Sequence, residues 1–289
     1  MKGRLKWMGK IVLSAAAIYL VFRKISWRDT WQLLSHIDIW WTLPALVLFN
    51  LSQVLSARRL LYYYRAAGAP LARGQNLWLY YQGMFYNLFL PGGIGGDGYK
   101  VHWLRKTYRV PVRRLVTASV LDRLTGLAVL GLLALALASW LVPAGVMPFS
   151  TWMLLPAYGV ATAVALWFVK RYFGRYYPFI GSATVLSLGV QVLQLSAVLC
   201  LLAAFGRPNH VFAYMLLLLA SSVAAAIPFT IGGAGAREIV FVAGAPLLGV
   251  VREQAVAVSL LFFLITVVSS LPPVLIRSSG DAAARGGVR

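Results

Sequence analysis

The stretch LPGGIGGDGYKV, residues 90–101, decides how this chain is read. It is rich in glycine, broken by proline and carries one acid, Asp97, and it directly follows the apolar run NLWLYYQGMFYNLF, residues 76–89. Glycine loops of this appearance cradle phosphates in soluble enzymes, but this one lacks the GK[ST] ending of a nucleotide P-loop. Its surroundings are equally unlike a soluble domain. Of 289 residues, 60% are hydrophobic and only 12% are charged, where about a quarter is usual in soluble domains. The reading is an all-α polytopic membrane protein forming a single integral membrane domain over 1–289.

Net charge is +20, which in a soluble protein would suggest nucleic acid. The basic residues fall mostly between apolar runs, the ordinary orientation signal of a bilayer protein, so no nucleic-acid partner is expected. The single cysteine, Cys200, excludes an intrachain disulfide. The N-terminus has the basic start of a secretory signal, yet its small residues SAAA sit in mid-run with apolar IYLVF after them, which reads as a retained first helix.

About 20 apolar residues cross a bilayer, and about six full spans fit, at 7 to 22, 40 to 57, 115 to 141, 152 to 169, 178 to 205 and 254 to 276. Two further apolar regions, 76 to 90 with its sequel and 211 to 250, are broken by Pro and Gly and read as re-entrant helical hairpins. Broken backbone at membrane depth is tolerated only against protein or a watery cavity, which makes both breaks candidate functional sites. With both termini cytoplasmic, 20 basic residues lie inside, including the four between 58 and 73. Arg23, Lys24, Arg28, Arg207 and Arg252 lie outside, and Arg123 and Arg237 lie within the membrane. This positive-inside bias supports that orientation, and the expected location is a cell (inner) membrane.

The opening stretch occurs twice. PGGIGGDGYK at 91–100 and PFTIGGAGAR at 228–237 share Pro, Ile, three Gly and a final cation at one offset of 137. Three spans separate the copies, so the second meets the membrane upside down: an inverted repeat, with half one at about 40–141, a connecting helix at about 152–169 and half two at about 178–276. Paired broken segments in two halves point to a transporter's binding site near the midplane. Half-helix N-termini there suit a phosphate headgroup.

Ionisable groups within membrane segments are costly and are either paired or functional, which selects Asp97, Asp122, Arg123, Arg237 and Glu238. Asp97 with Arg237, or Arg123 with Glu238, would tie the halves together. Gly95, Gly96, Gly232 and Gly233 would admit backbone or headgroup, and Lys100 and Arg237 supply matching cations. Gln82 and Tyr86, four apart, share a helix face; Asn87 turns to the side. These polar residues serve helix contacts as readily as a ligand. Trp40, Trp41 and the run Tyr62, Tyr63 and Tyr64 read as interfacial aromatics. His36, His102 and His210 have no metal-ligand spacing, and neither a cofactor nor a metal is expected.

The polar helix ending in Asn87 and Pro91, GGIGGD at 92–97 followed by Lys100, LDRLTG at 121–126 and IPFTIGGAGARE at 227–238 together resemble the lysylphosphatidylglycerol synthase transmembrane-region family. This family includes the membrane half of the multiple peptide resistance factor, and the resemblance covers roughly 40–275. It implies a helical, flippase-like membrane domain associated with phospholipid translocation or with isoprenoid-lipid pathways, hopanoid and dolichyl-lipid ones among them. Two departures bear on function. The soluble aminoacyl-transferase portion is not expected here, so neither is lipid lysylation. Lys100 stands where the resemblance implies arginine, keeping charge without the planar fork.

The leading expectation is a flippase-like transporter moving an anionic phospholipid or isoprenoid-linked lipid between leaflets, with Gln82, Asn87, Gly95, Gly96, Asp97, Lys100, Asp122, Arg123, Gly232, Gly233, Arg237 and Glu238 as substrate-binding residues. The alternatives are a membrane-embedded transferase on a polyprenyl-phosphate substrate, for which Asp97 with Asp122 is the only plausible acid pair, or a scaffold that partners a lipid-synthesis enzyme.

Overall fold

The computed structural model describes residues 27–89, 95–141, 153–206, 209–226 and 236–271. Among these, all regular structure is helical: α1 (Trp27–Ser35), α2 (Ile39–Ala67), α3 (Arg73–Phe89), α4 (Gly95–Tyr108), α5 (Val112–Leu141), α6 (Leu154–Tyr172), α7 (Ile180–Ala204), α8 (Val211–Ala226), α9 (Ala236–Gly244) and α10 (Arg252–Ser270). The expected span at 7 to 22 and the centres of both breaks, including Gly232 and Gly233, lie outside the described residues.

Among the described residues, four helices are long and apolar enough to cross a membrane: α2, α5, α7 with the 3₁₀ turn before it, and α10. The expected span at 152 to 169 is the helix α6, whose last turn carries Lys170 and Arg171, and it is not among the four.

The sequence reading ended the first of these spans at residue 57, and this is corrected. RRLLYYYRAA, residues 58–67, contains no helix breaker, so α2 continues until Gly68 takes the left-handed conformation (φ 103°) and donates to the carbonyls of Tyr64 and Arg65. At 1.5 Å per residue its 29 residues reach about 44 Å, beyond a hydrocarbon core of about 30 Å. Arg59 is therefore no loop residue: it is buried within the helix. Tyr63 and Tyr64 are likewise fully buried, donating or accepting at Thr125 (2.7 Å) and Ser119 (2.9 Å) of α5, not sitting in an interfacial belt.

Polarity is arranged as a bilayer demands. Val116, Val120 and Leu124, four apart on α5, are exposed, as are Val160, Val164 and Phe168 on α6, while Gln53, Ser56, Arg59, Lys100, Asp122 and Gln191 are buried. Apolar side chains face outward and the polar ones face each other, the arrangement that hydrocarbon solvent favours.

Helices α2 and α7 form the central and most extensive seam. They run antiparallel, since Arg59 meets Ser187 and Ser52 meets Gln194, while Asp38 near the start of α2 donates from its backbone to Ala204 at the end of α7 (2.9 Å). Toward each end of the seam lies an apolar core. The first gathers Leu60, Tyr63 and Tyr64 of α2 with Leu79, Leu104, Leu115 and Ala183. The second gathers Phe49 of α2 with Leu201, Tyr214, Leu217, Phe241 and Phe262.

The packing repeats. Helix α3 lies on α4, as α8 lies on α9; α4 packs on α5, as α9 on α10; α5 meets α8, as α10 meets α3. Even α6, expected as a mere connector, packs on α5 as α1 packs on α10. Each helix in the first group of five thus has a counterpart in the second, and α2 and α7 are each other's.

Candidate functional site

The first broken region folds back on itself. Asn87 meets Gly96, Gln82 meets Tyr99, Tyr80 meets Lys100, Trp78 meets Trp103 and Gln75 meets Tyr108, an antiparallel pairing of α3 and α4. Glycine permits the approach: a Cβ on Gly96 would lie 1.8 Å from the carbonyl oxygen of Gly83, and one on Gly83 would lie 3.0 Å from the Lys100 stem. Gln82 and Tyr86 do share a face, both touching Tyr99. Asn87 accepts from the Gly96 N–H at 2.8 Å and so satisfies one of the amides that a helix start leaves open. That N–H was expected to await a phosphate; Asn87 already occupies it.

Asp97, in the first turn of α4, is shared by two cations. Lys100 Nζ lies 2.7 Å from one carboxylate oxygen and Arg123 Nε 2.5 Å from the other. Lys100 is buried and also lies over the Tyr80 ring at 5.4 Å. Arg123 differs in being 37% exposed in its side chain. The expected Asp97–Arg237 pair is not formed, because Asp97 is filled from its own half.

Asp122 and Arg123, neighbours on α5, diverge as a helical turn of about 100° requires. Asp122 takes a fork from Arg59, Nε at 2.8 Å and Nη2 at 3.2 Å. The third guanidinium nitrogen, Nη1, donates to Ser187 of α7 at 2.8 Å. A planar guanidinium offers these three donors in one rigid plane, a fork that the compact ammonium of lysine does not reproduce. Room for it comes from Gly126, where a Cβ would sit 2.9 Å from Nη1. Arg59 thus joins the first half to the second and is the functional candidate that the sequence reading missed. Its placement in a cytoplasmic loop followed from ending the span too early.

In the second half, Arg237 and Glu238 open α9. Glu238 is buried, whereas Arg237 is half-buried, lies over the Phe262 ring at 5.2 Å and forms no ion pair among the described residues. The matched cations therefore differ: Lys100 is neutralised by a carboxylate, Arg237 rests on an aromatic face, where cation–π attraction is weaker.

A family model described as Lysylphosphatidylglycerol synthase TM region matches residues 7–272. No curated protein and no solved structure matches the chain.

Proposed function

The chain belongs to the lysylphosphatidylglycerol synthase TM-region family, and from that premise we propose that it is a flippase-like transporter that moves an anionic phospholipid or isoprenoid-linked lipid between leaflets. Membrane-embedded helices and a lipid-related family frame this reading. The observation that carries it is the cation pair on Asp97, one member buried and one reaching the surface, set at a glycine-permitted hairpin. A phosphate arriving at Arg123 meets a charge-assisted donor whose position is already fixed by Asp97. Arg237 offers a second cation in the other half.

The transporter architecture in this proposal is an inverted repeat of two halves, with six spans, two re-entrant hairpins and both termini in the cytoplasm of a cell whose inner membrane holds the protein. Its support is the antiparallel α2 and α7 seam, joined to the helix adjacencies that recur five elements later. Counterpart helices running in opposite directions are what a two-fold axis in the membrane plane produces. Transferase chemistry is less well supported. Asp122 is held by Arg59, and Asp97 by Lys100 and Arg123, so neither carboxylate is poised as a general base.

Reconstitution tests the proposal. Vesicles containing the purified protein and a fluorescent phospholipid in one leaflet should exchange it with the other leaflet faster than protein-free vesicles, and Arg123→Ala should slow that exchange. Equal rates with and without protein, across anionic lipid classes, would refute it.

A further inference from the structure

The seam between α2 and α7 carries an unusual group of side chains at its centre. Gln53 is the middle residue of Ile39–Ala67, and Gln194 lies near the middle of Ile180–Ala204. Asn50 stands three residues before Gln53, as Gln191 stands three before Gln194. Each helix therefore carries two carboxamides, one turn apart, near its middle. Gln53 and Gln191 are 7% and 6% exposed. Ser52 accepts from Gln53 Nε2 (3.1 Å) and from Gln194 Nε2 (3.3 Å), while Tyr81 donates to Asn50 Oδ1 (2.8 Å) and Asn50 donates to Ser269 (2.9 Å). Tyr80 links this group to the cations, its hydroxyl donating to Gln53 (3.4 Å) and its ring lying under Lys100.

We propose that these carboxamides bind the hydroxyl groups of the lipid headgroup, so that the transported lipid carries a polyol or sugar on its phosphate and no ammonium. This inference rests on the transport reading above and names its substrate class. A carboxamide both donates and accepts, and so does a hydroxyl. Headgroup hydroxyls can therefore replace the side-chain bonds now made between Gln53, Ser52, Gln194 and Tyr80 one for one, leaving no buried polar group unsatisfied. An ammonium is a donor only, and it needs a carboxylate at membrane depth. None of the side chains bonded to one another in this group is an acid, and Asp122 and Asp97 are committed to Arg59, Lys100 and Arg123. Phosphate is served by Arg123, the partly exposed cation of the pair on Asp97, and Tyr80 connects that pair to the carboxamides through Lys100.

Short-chain phosphatidylglycerol and phosphatidylethanolamine, each titrated into the full-length chain in detergent with thermal unfolding as readout, test this directly. Phosphatidylglycerol should bind more tightly by about fivefold for each hydrogen bond its hydroxyls make. Gln53→Leu and Gln194→Leu should each weaken it by about fivefold and leave phosphatidylethanolamine unchanged. If Gln53→Leu does not fold, the half-buried Gln194→Leu carries the test. Equal binding of the two lipids overturns the inference, as does lowered melting with the lipid preference intact, which marks the carboxamides as helix contacts alone. Free glycerol phosphate binding as tightly as the lipid also overturns it, assigning the site to a soluble ligand. Vesicle exchange separates the two proposals: exchange without headgroup preference removes this one and keeps translocation, whereas preference without exchange keeps the site and removes translocation.

Discussion

Replacing Gly96 by alanine puts the hairpin to a quantitative test. The added Cβ would sit 1.8 Å from the Gly83 carbonyl oxygen and 2.6 Å from its carbon. Both are backbone atoms, so no rotamer change relieves the overlap and α3 must move away from α4. Overpacking of this kind costs about 1–3 kcal/mol. The movement also stretches the 2.8 Å bond from Gly96 N–H to Asn87, worth about 1 kcal/mol more. Against this, alanine is favoured over glycine inside a helix by about 1 kcal/mol. The net expectation is a loss of about 1–3 kcal/mol. Gly98, two residues on in the same helix, is the internal control, because a Cβ there meets nothing within 4 Å. Gly98→Ala should be neutral or stabilising by up to about 1 kcal/mol. Gly83→Ala should fall between them, its obstacle being the flexible Lys100 stem at 3.0 Å. Thermal unfolding of the three variants in one detergent measures the order. Equal stability of Gly96→Ala and Gly98→Ala would refute the close approach.

Three further outcomes follow from the same geometry. Arg59→Met and Asp122→Leu should each destabilise by about 3–5 kcal/mol by leaving a buried charge alone, while the double variant should recover most of the loss; a double variant as unstable as the sum of both singles would show that the fork is not what holds the pair. Arg237→Ala should reduce transfer of anionic lipids more than zwitterionic ones, with Arg237→Lys recovering part, and an unchanged headgroup ratio in vesicle exchange removes Arg237 from binding. In a Cys200→Ser background, single cysteines at the exposed positions His102 and Arg252 should be labelled by an impermeant maleimide from opposite faces; labelling of both from one face dismisses the inverted repeat.

Much of this was legible in the sequence, and the failures have physical causes. A proline and glycine break after an apolar run announced the hairpin, and Asp97, Asp122 and Arg123 stood out because charges are rare between apolar residues. Which charges would pair was not legible. Asp97 is filled by Lys100, one helical turn away, and by Arg123, and local geometry of that kind outcompetes the cross-half pairing with Arg237. Arg59 was hidden by the rule that cations bound spans. Its neighbours Leu60, Leu61 and Tyr62–Tyr64 were the available signal, since an apolar and aromatic run without Gly or Pro continues a helix. The repeat was visible at the glycines, yet the carboxamide pairs at Asn50 and Gln53 and at Gln191 and Gln194 passed unnoticed because polar residues within spans read as helix contacts.

The α2 and α7 seam has a mechanical consequence. Under the inverted repeat proposed above, in which the halves exchange roles about a two-fold axis, every adjacency has a distant twin with which it must trade geometry, and only a contact that is its own twin can stay fixed. That contact is this seam. It is therefore the natural fulcrum of any rocking motion, and the Arg59 to Ser187 bond, lying off-centre with Ser52 and Gln194 nearer the crossing, sits on the lever arm, where a small rotation is felt first.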